Sequence, residues 1–181
     1  NSGANLGQDV MFSGTFGAAL TAQLSGIPAI ATSLVGGGVK NGGQESASDY
    51  QVAAHEIVKL LTETSVLELL KNLPYHVLNV NIPDVQHADG IKGRKITSLG
   101  HKQAAQPVRH MIDPRGRDAY WLSLRKGKNE RPLETSIDAV QAKQDVMTDY
   151  QAVAAGYVSL SPVRLHHTPT AALERLSTLA L

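Results

Sequence analysis

The sequence predicts an α/β fold, in which helices pack against a β-sheet and a β-hairpin is attached to this core. Three observations support it: an apolar segment without any charged residue at residues 27–35, helical patterns on both sides of it, and a second strand pattern at residues 77–82. An uncharged strand of this kind is typical of a parallel sheet covered by helices. We therefore expect a βαβ arrangement in the first half of the chain.

The first helix is predicted from its cap. Residues 1–15 are rich in Gly, Ser and Asn and are expected to form a loop. Ser13 at the end of this loop is a typical N-cap, and apolar residues then recur at helical spacing until Gly26. A helix is therefore expected between Ser13 and Gly26, directly before the uncharged strand.

The second helix is predicted after a Gly-rich loop at residues 36–46. Ser48 and Gln51 fit a capping box, and apolar residues follow along one side of the helix. Residues 66–73 either extend this helix or form a second short one, because Pro74 ends the pattern. The strand at residues 77–82 comes next.

The second half of the chain predicts a long hairpin, a last strand and a terminal helix. The Asp-Pro-Arg-Gly sequence is a type I turn signal, and Thr168-Pro169 is typical of a helix start. The predicted elements are strands at residues 91–99, 107–112, 119–124 and 157–160, a turn at residues 113–116, and a helix along Leu173, Leu176 and Leu179.

Composition and charge exclude several functions. The 181 residues include 17 Lys and Arg against 16 Asp and Glu, a formal net charge of +1, which excludes a strongly basic surface for duplex nucleic acid. The absence of Cys excludes disulfides, thiolate metal sites and a Cys nucleophile. Residues 10–39 carry no charge, but Ser, Thr, Gly, Gln and Pro interrupt them, so neither a membrane span nor a signal peptide is expected.

The strongest local signal for chemistry is the loop at residues 1–15. Ser13, Gly14 and Thr15 open a helix, where backbone N–H groups, hydroxyls and the helix dipole favour an anion. The alternative is that Ser13 only caps the helix. Neither standard phosphate-loop motif, G-x-x-x-x-G-K-[ST] or G-x-G-x-x-G, is present in this loop.

Several segments in collinear order carry a resemblance to a known family. They are NSGANLGQDV (residues 1–10), FSGT (12–15), GIPAIATSL (26–34), LNVNIPD (78–84), DPRG with YW (113–116 and 120–121), and TDY with GYVSLSP (148–150 and 156–162). On these segments the chain closely resembles the SurE family of metal-dependent 5′/3′-nucleotidases over nearly its whole length.

The resemblance implies a fold, an activity and site residues. The fold is a three-layer αβα, Rossmann-like core with an extended hairpin arm and a C-terminal segment exchanged in a homo-oligomer, a dimer or tetramer. The activity is hydrolysis of nucleoside 5′- and 3′-monophosphates with a divalent cation, Mg²⁺ or Mn²⁺. Asn1 falls on a metal ligand of the family. Asn5, Ser13, Gly14 and Thr15 fall on the segment that lines the phosphate site.

With this resemblance, we expect one domain in three parts. Residues 1–100 are the remainder of the α/β core with the phosphate and metal loop. Residues 101–155 are the hairpin arm and an irregular loop, and residues 156–181 are a strand and helix exchanged in the oligomer. A lone hairpin is marginal in water, so oligomerisation through the arms is expected, with packing back on the core as the alternative. The cytoplasm is the expected location.

Departures from the family pattern restrict what the chain is expected to do alone. The family's metal site also depends on an adjacent Asp pair and on a Ser, and this chain has no Asp-Asp pair. We therefore interpret the chain as the C-terminal portion of such an enzyme, inactive by itself. One alternative is a non-catalytic, oligomerising module that binds anions. Another is an enzyme for a different phosphorylated metabolite, because the turn at Ser13 would recognise phosphate and not base.

Other polar and aromatic residues have a functional interpretation, but we favour a structural one in each case. Exposed polarity explains the charged residues, and interface packing explains the aromatic pair. The residues are His55 with Glu56 and His166 with His167 as metal ligands, Lys40 as a phosphate contact, Tyr120 and Trp121 as a base-stacking pair, and His101, His110, Asp113 and Asp118 as a cluster that could reach a site across an oligomer.

Overall fold

The computed structural model describes residues 1–36, 50–85, 87–100, 108–122, 146–164, 173–174 and 176–178. The chain divides into two compact units: Asn1–Gly100 with Val146–Leu181 form the first, and His101–Asp145 form the second. The described helices are α1 (Gly14–Leu24), α2 (Gln51–Glu63), α3 (Val66–Lys71) and α4 (Asp149–Ala154). The strands are β1 (Ile30–Leu34), β2 (His76–Ile82), β3 (Arg94–Ile96), β4 (Val108–Ile112), β5 (Asp118–Leu122) and β6 (Val158–Arg164).

The first unit is built on a four-stranded sheet in the order β1-β2-β6-β3. β1 pairs with β2 in parallel, and β3 pairs with β6 in parallel. β6 runs antiparallel to β2, and this pair joins the two parallel pairs into one sheet. The expectation of a parallel sheet is therefore wrong for β2 and β6. The direction of a strand is set by its partner and not by its own residues, which is why the local pattern missed it.

Helices cover both faces of this sheet, as expected for a three-layer αβα core. On one face, α2 and α3 pack through Leu60 and Leu70 onto Val80 and Ile82 of β2. On the other face, α1 packs against β1, β2 and β6 in a second cluster that includes Phe16. The alternation of side chains along each strand separates the two clusters. The structure therefore confirms the α/β fold class.

Local signals explain where the helices begin. The Ser13 hydroxyl accepts a hydrogen bond from the Phe16 N–H (3.1 Å), so Ser13 caps α1 as predicted. Tyr50 is the N-cap of α2, and Ser48, the predicted cap, lies outside the described residues. α3 is a separate short helix, the second of the two predicted possibilities.

The last strand is longer than predicted. β6 extends to Arg164, whereas the sequence pattern predicted residues 157–160. Pro162 lies inside β6 and faces Leu78 of β2. The pairing of β6 with β3 ends at Leu160, so Pro162 has a neighbouring strand on one side. A proline lacks the N–H that a second neighbour would need, so it is tolerated where the strand has one partner.

Two further segments differ from the predicted bounds or are described in part. β3 is limited to Arg94–Ile96 instead of residues 91–99. Of the predicted terminal helix, Leu173 and Leu176 are helical, whereas Thr168, Pro169 and Leu179 lie outside the described residues. In the part of the chain that the structure describes, no helix has the length and apolar character needed to cross a membrane.

The second unit contains the predicted hairpin. β4 and β5 pair antiparallel, and the Gly116 N–H donates to the Asp113 carbonyl (2.9 Å) across the predicted turn. The Asp113 carboxylate accepts from the backbone N–H of Arg117 (2.9 Å) and of Arg115 (2.8 Å). The Arg117 backbone bond is the main reason that the pKa of Asp113 is lowered from 3.8. Asp113 therefore stabilises the turn.

Candidate active site

Residues 1–13, which we call the site loop, lie at the carboxyl end of the parallel pair β1 and β2. The Leu34 N–H at the end of β1 donates to the Asn1 carbonyl (2.9 Å), and the Gly3 N–H donates to the Leu34 carbonyl (3.0 Å). The terminal amine of Asn1 donates to the Thr32 carbonyl (3.2 Å). The carboxyl ends of parallel strands are where ligands bind in open α/β sheets. The candidate site is therefore at this edge.

Small polar side chains line the sheet under the site loop and form what we call the polar strip. They alternate with apolar residues of the opposite face, so they all lie on the face that carries α1. The polar strip consists of Ser33 on β1, Asn79 and Asn81 on β2, Ser159 and Ser161 on β6, and Thr97 beside β3. Buried polar groups need hydrogen-bond partners, and the site loop supplies several of them.

Asn5 is the residue through which the polar strip holds the site loop. Its backbone N–H donates to the Asn81 Oδ1 (2.9 Å), and its carbonyl accepts from the Nδ2 groups of Asn81 (2.9 Å) and Asn79 (2.8 Å). Its own Nδ2 donates to the Ser33 Oγ (2.5 Å). Asn5 is only 6% exposed, so these bonds are shielded from water. They fix both the backbone and the side chain of Asn5.

A second set of contacts holds the next part of the site loop. Asp149, the first residue of α4, is 0% exposed and accepts from the N–H groups of Gly7 (2.7 Å), Gly100 (2.9 Å) and Tyr150 (2.9 Å). The Tyr150 hydroxyl donates to the Leu6 carbonyl (3.0 Å). Burial raises the pKa of Asp149 from 3.8, and the three N–H bonds offset part of that shift.

The site loop ends at the predicted phosphate-binding turn. Gly7–Phe12 form a short 3₁₀ helix whose Val10 is buried, and α1 starts one residue after Ser13. Ser13 and Thr15 are partly exposed and Gly14 is exposed. The N–H groups in the first turn of an α-helix have no partner within the helix, so this turn presents donors toward solvent. The Ser13 hydroxyl acts as cap, and that role leaves its O–H free to donate.

Asn1 is the other predicted site residue of the loop, and it is exposed. A cleft of about 310 Å³ opens beside it, lined by residues that include Thr32 of β1, Tyr50 at the N-cap of α2, and Ala53 of α2. The Asn1 side chain donates through Nδ2 to the Gly3 carbonyl (3.2 Å). This bond leaves the carboxamide oxygen as the atom suited to a hard cation.

The residues described do not form a metal site by themselves. Among residues 1–36, 50–85, 87–100, 108–122 and 146–164, no three His, Cys, Asp or Glu side chains lie close enough together to hold a metal ion. Asn1 contributes one oxygen, whereas Mg²⁺ takes an octahedral set of six. Within the described residues, Asn1 is therefore not joined by a cluster of such side chains.

The remaining candidate residues lie elsewhere. The His110 Nε2 and Asp118 Oδ1 atoms are 2.6 Å apart on the hairpin, and Tyr120 contacts the His110 ring. His55 is exposed on α2 as predicted, but Glu56, predicted to lie on the surface, is partly buried because it pairs with Arg94 (2.5 Å). Lys40, His101, His166 and His167 lie outside the described residues, and the side chain of Trp121 is not described.

Comparison with known proteins agrees with this geometry. Residues 1–106 match the family model described as "Survival protein SurE". The chain belongs to the SurE family. It is 69% identical to 5′-nucleotidase SurE of Psychrobacter cryohalolentis over all of this chain and 66% of that protein. It is 41% identical to 5′-nucleotidase SurE of Acinetobacter baylyi over 98% of this chain and 64% of that protein.

A solved structure extends the comparison to the fold. The SurE protein from Aquifex aeolicus superposes on the chain with a TM-score of 0.64 at 29% identity, covering 98% of this chain and 62% of that one. The chain thus spans just under two thirds of the SurE relatives that it matches. The SurE membership confirms the resemblance seen in the sequence motifs, and the Aquifex structure agrees with the αβα core.

Sequence reasoning missed the contacts that hold the site loop. The motif analysis treats Asn79, Asn81 and Asp149 only as parts of SurE motifs and not as anchors. A signal was available: Asn79 and Asn81 are two residues apart in a strand without charge, so both point to the same face. A buried strand with two amides on one face requires a polar partner there.

Proposed function

We propose that the protein is a phosphomonoesterase that hydrolyses nucleoside 5′- and 3′-monophosphates with a divalent cation, Mg²⁺ or Mn²⁺. One observation carries the proposal: the site loop joins exposed Asn1, at the carboxyl end of β1, to the start of α1 at Ser13. A cation ligand and a group of anion donors thus belong to one short, anchored segment. The relatives from Psychrobacter and Acinetobacter, both called 5′-nucleotidase SurE, support the substrate class.

Each predicted site residue has a distinct role in this proposal. The Asn1 carboxamide oxygen is one ligand of the cation. The Ser13 and Thr15 hydroxyls, with the N–H of Gly14 and the first turn of α1, bind the phosphoryl oxygens and stabilise the negative charge that develops on them during transfer. Asn5 lines the same site and offers the second N–H of its amide group, because the first donates to Ser33.

The cation supplies charge neutralisation and a polarised phosphoryl oxygen when it is bound. Among the described residues, the proposal assigns only Asn1 as a ligand of the cation. The contribution that the chain itself makes is to orient the ester: the donors of the Ser13 turn hold the phosphoryl group, while the bonds to Asn5 keep the site loop from moving.

We also propose that the protein is a cytoplasmic homo-oligomer, a dimer or tetramer, that associates through the hairpin and the C-terminal segment. The hairpin supports this, because it exposes apolar side chains on a two-stranded sheet that is marginal alone. The exposed residues are Val108, Met111, Ile112 and Tyr120. Light scattering coupled to size exclusion tests this proposal, and a monomer at 50-fold dilution from about 100 μM would contradict a stable oligomer.

The test of the activity combines this chain with the part of the Psychrobacter relative that it does not span, placed as in that relative. This chimera should release phosphate from 5′-AMP and 3′-AMP in Mg²⁺ or Mn²⁺ and lose that activity in EDTA. The 181-residue chain alone is expected to be inactive. Preference for sugar phosphates would favour the different-metabolite alternative. No turnover of any ester, together with retained phosphate binding, would favour the non-catalytic module.

Replacing Asn1 by Ala in the chimera should lower kcat at least 100-fold at saturating Mn²⁺, because the oxygen ligand is lost. Folding should be unaffected, since the bonds of Asn1 to β1 come from its backbone. Asn72→Ala, which removes an exposed amide at the C-cap of α3, is the matched control. Activity of Asn1→Ala within threefold of the parent would contradict the ligand role.

A further inference from the structure

The site loop is held at Gly7 by a carboxylate whose partners are all backbone N–H groups. Asp149 accepts from Gly7, Gly100 and Tyr150 at distances of 2.7–2.9 Å, and Gly7 is 142 residues away in the sequence. Three donors around one buried side chain require an acceptor on every side. A carboxylate has that property, whereas a carboxamide keeps one oxygen and turns its NH₂ group toward either Gly7 or the pair of Gly100 and Tyr150.

The backbone at Gly7 is packed so closely against Gly100 and Tyr150 that it leaves no room for a side chain. Gly7 has a φ of +58°, and a Cβ at this position would lie 2.4 Å from the Gly100 carbonyl oxygen and 2.7 Å from the Tyr150 ring. The Tyr150 hydroxyl also bonds to the carbonyl of Leu6, the residue before Gly7. The first turn of α4 thus binds two consecutive residues of the site loop, Leu6 and Gly7.

α4 is itself hydrogen-bonded to the core through contacts that do not involve the site loop. The Thr148 hydroxyl caps α4 and Gln151 completes a capping box. The Asp149 N–H donates to the Ser98 carbonyl (2.9 Å), and the Ser98 N–H donates to the Met147 carbonyl (3.1 Å). These bonds tie α4 to the segment after β3, which is part of the same sheet.

Gly7 is also the point at which the two halves of the site loop meet. Before it, Asn5 is bonded to the polar strip; after it, the 3₁₀ helix runs directly to Ser13 and α1. A displacement at Gly7 would therefore alter the placement of the Ser13 turn relative to Asn1. Displacements of about 1 Å at a substrate-positioning segment are enough to lower rates about 100-fold.

We propose that Asp149 is a positioning residue for the phosphatase site: its carboxylate fixes Gly7 and thereby sets the geometry between Asn1 and the Ser13 turn. This inference rests on the proposed function. It assigns to a residue of α4, far from the site loop in sequence, a role in the chemical step and not only in stability.

The experiment compares Asp149→Asn with Thr148→Ala in the chimera. Thr148→Ala weakens the same helix by removing its cap but leaves the bonds of Asp149 to Gly7 and Gly100 in place. Asp149→Asn should lower kcat at least tenfold with KM for 5′-AMP changed less than threefold, whereas Thr148→Ala should keep kcat within twofold. A kcat for Asp149→Asn within twofold of the Thr148→Ala value would overturn the proposal.

A second measurement uses the 181-residue chain and needs no activity. Amide hydrogen exchange of Gly7 should be at least tenfold faster in Asp149→Asn than in Thr148→Ala; equal exchange would overturn the proposal. If Asp149→Asn does not fold, Tyr150→Phe is measured instead, since it removes the hydroxyl that bonds to the Leu6 carbonyl and should lower kcat two- to fivefold; unchanged kcat would count against the proposal. An inactive parent chimera would refute the proposed phosphatase activity. The hydrogen-exchange result would then still decide whether Asp149 fixes Gly7.

Discussion

The site loop and the hairpin arm both contain short hydrogen bonds between polar groups, but they place them in opposite surroundings. In the site loop, Asn5 and Asp149 are 6% and 0% exposed, and their partners are 28–142 residues away along the chain, apart from neighbouring Tyr150. In the hairpin, the side chains of His110 and Asp118 are 53% and 68% exposed and lie eight residues apart.

This difference decides how much each contact contributes. A buried group that loses its partner has no water to replace it, so the cost is the full desolvation penalty. An exposed pair exchanges its partner for water at little cost. The hydrogen-bond distances alone, 2.5–2.9 Å for Asn5 and 2.6 Å for His110, would suggest that the contacts of the two regions contribute equally to stability.

The largest loss of stability is expected at Gly7, where an added side chain would clash with its neighbours and the backbone is left-handed. Gly7→Ala should lower the free energy of unfolding by about 4 kcal/mol, because the new Cβ meets a backbone oxygen that cannot rotate away. Gly3→Ala is the control: its φ is +94°, but no atom lies within 4 Å of the new Cβ, so about 1–2 kcal/mol is expected. Urea unfolding measures both, and equal losses would show that packing at Gly7 is irrelevant.

A somewhat smaller effect is expected for Asn81→Ala. It removes two bonds to the Asn5 backbone and leaves the Asn5 N–H buried without its acceptor, at a cost of about 3 kcal/mol. Asn72→Ala removes an exposed amide that donates to the Glu68 carbonyl and should cost less than about 0.5 kcal/mol. Similar urea midpoints for the two variants would contradict the contrast between buried and exposed contacts.

The smallest effect is expected in the hairpin. His110→Ala removes the contacts with Asp118 and Tyr120, yet it should change the free energy of unfolding by about 0.5 kcal/mol or less, because the pair is exposed. Thermal unfolding at low and high salt measures this. A loss above about 1.5 kcal/mol would mean that the His110 pair is shielded from water, and the contrast with the site loop would fail.

The parts of the fold that sequence predicted are those encoded by neighbouring residues. The cap at Ser13 needs only the next three residues, the turn at Asp113 only the next four, and β2 only its own apolar pattern. Each of these elements was placed within a few residues of its observed position. The family motifs then identified Asn1 and the Ser13 turn as candidates.

The parts that sequence did not predict depend on which distant segments meet. Nothing local to β6 encodes its antiparallel pairing with β2, and nothing near Asp149 indicates that its carboxylate bonds to Gly7. The three residues around that carboxylate belong to three separate segments of the chain. Their contact is a property of the assembled sheet, so it appears only in the structure.

The long separation between Gly7 and Asp149 has a consequence for synthesis. At about 5–20 residues per second, the ribosome adds Asp149 roughly 7–30 s after Gly7, because the two residues are 142 positions apart. During that interval the site loop is already made but its anchor is not, and the Gly7 amide is solvated. Since loops that close over long separations form late, the nascent loop acquires its final geometry only after translation has passed α4.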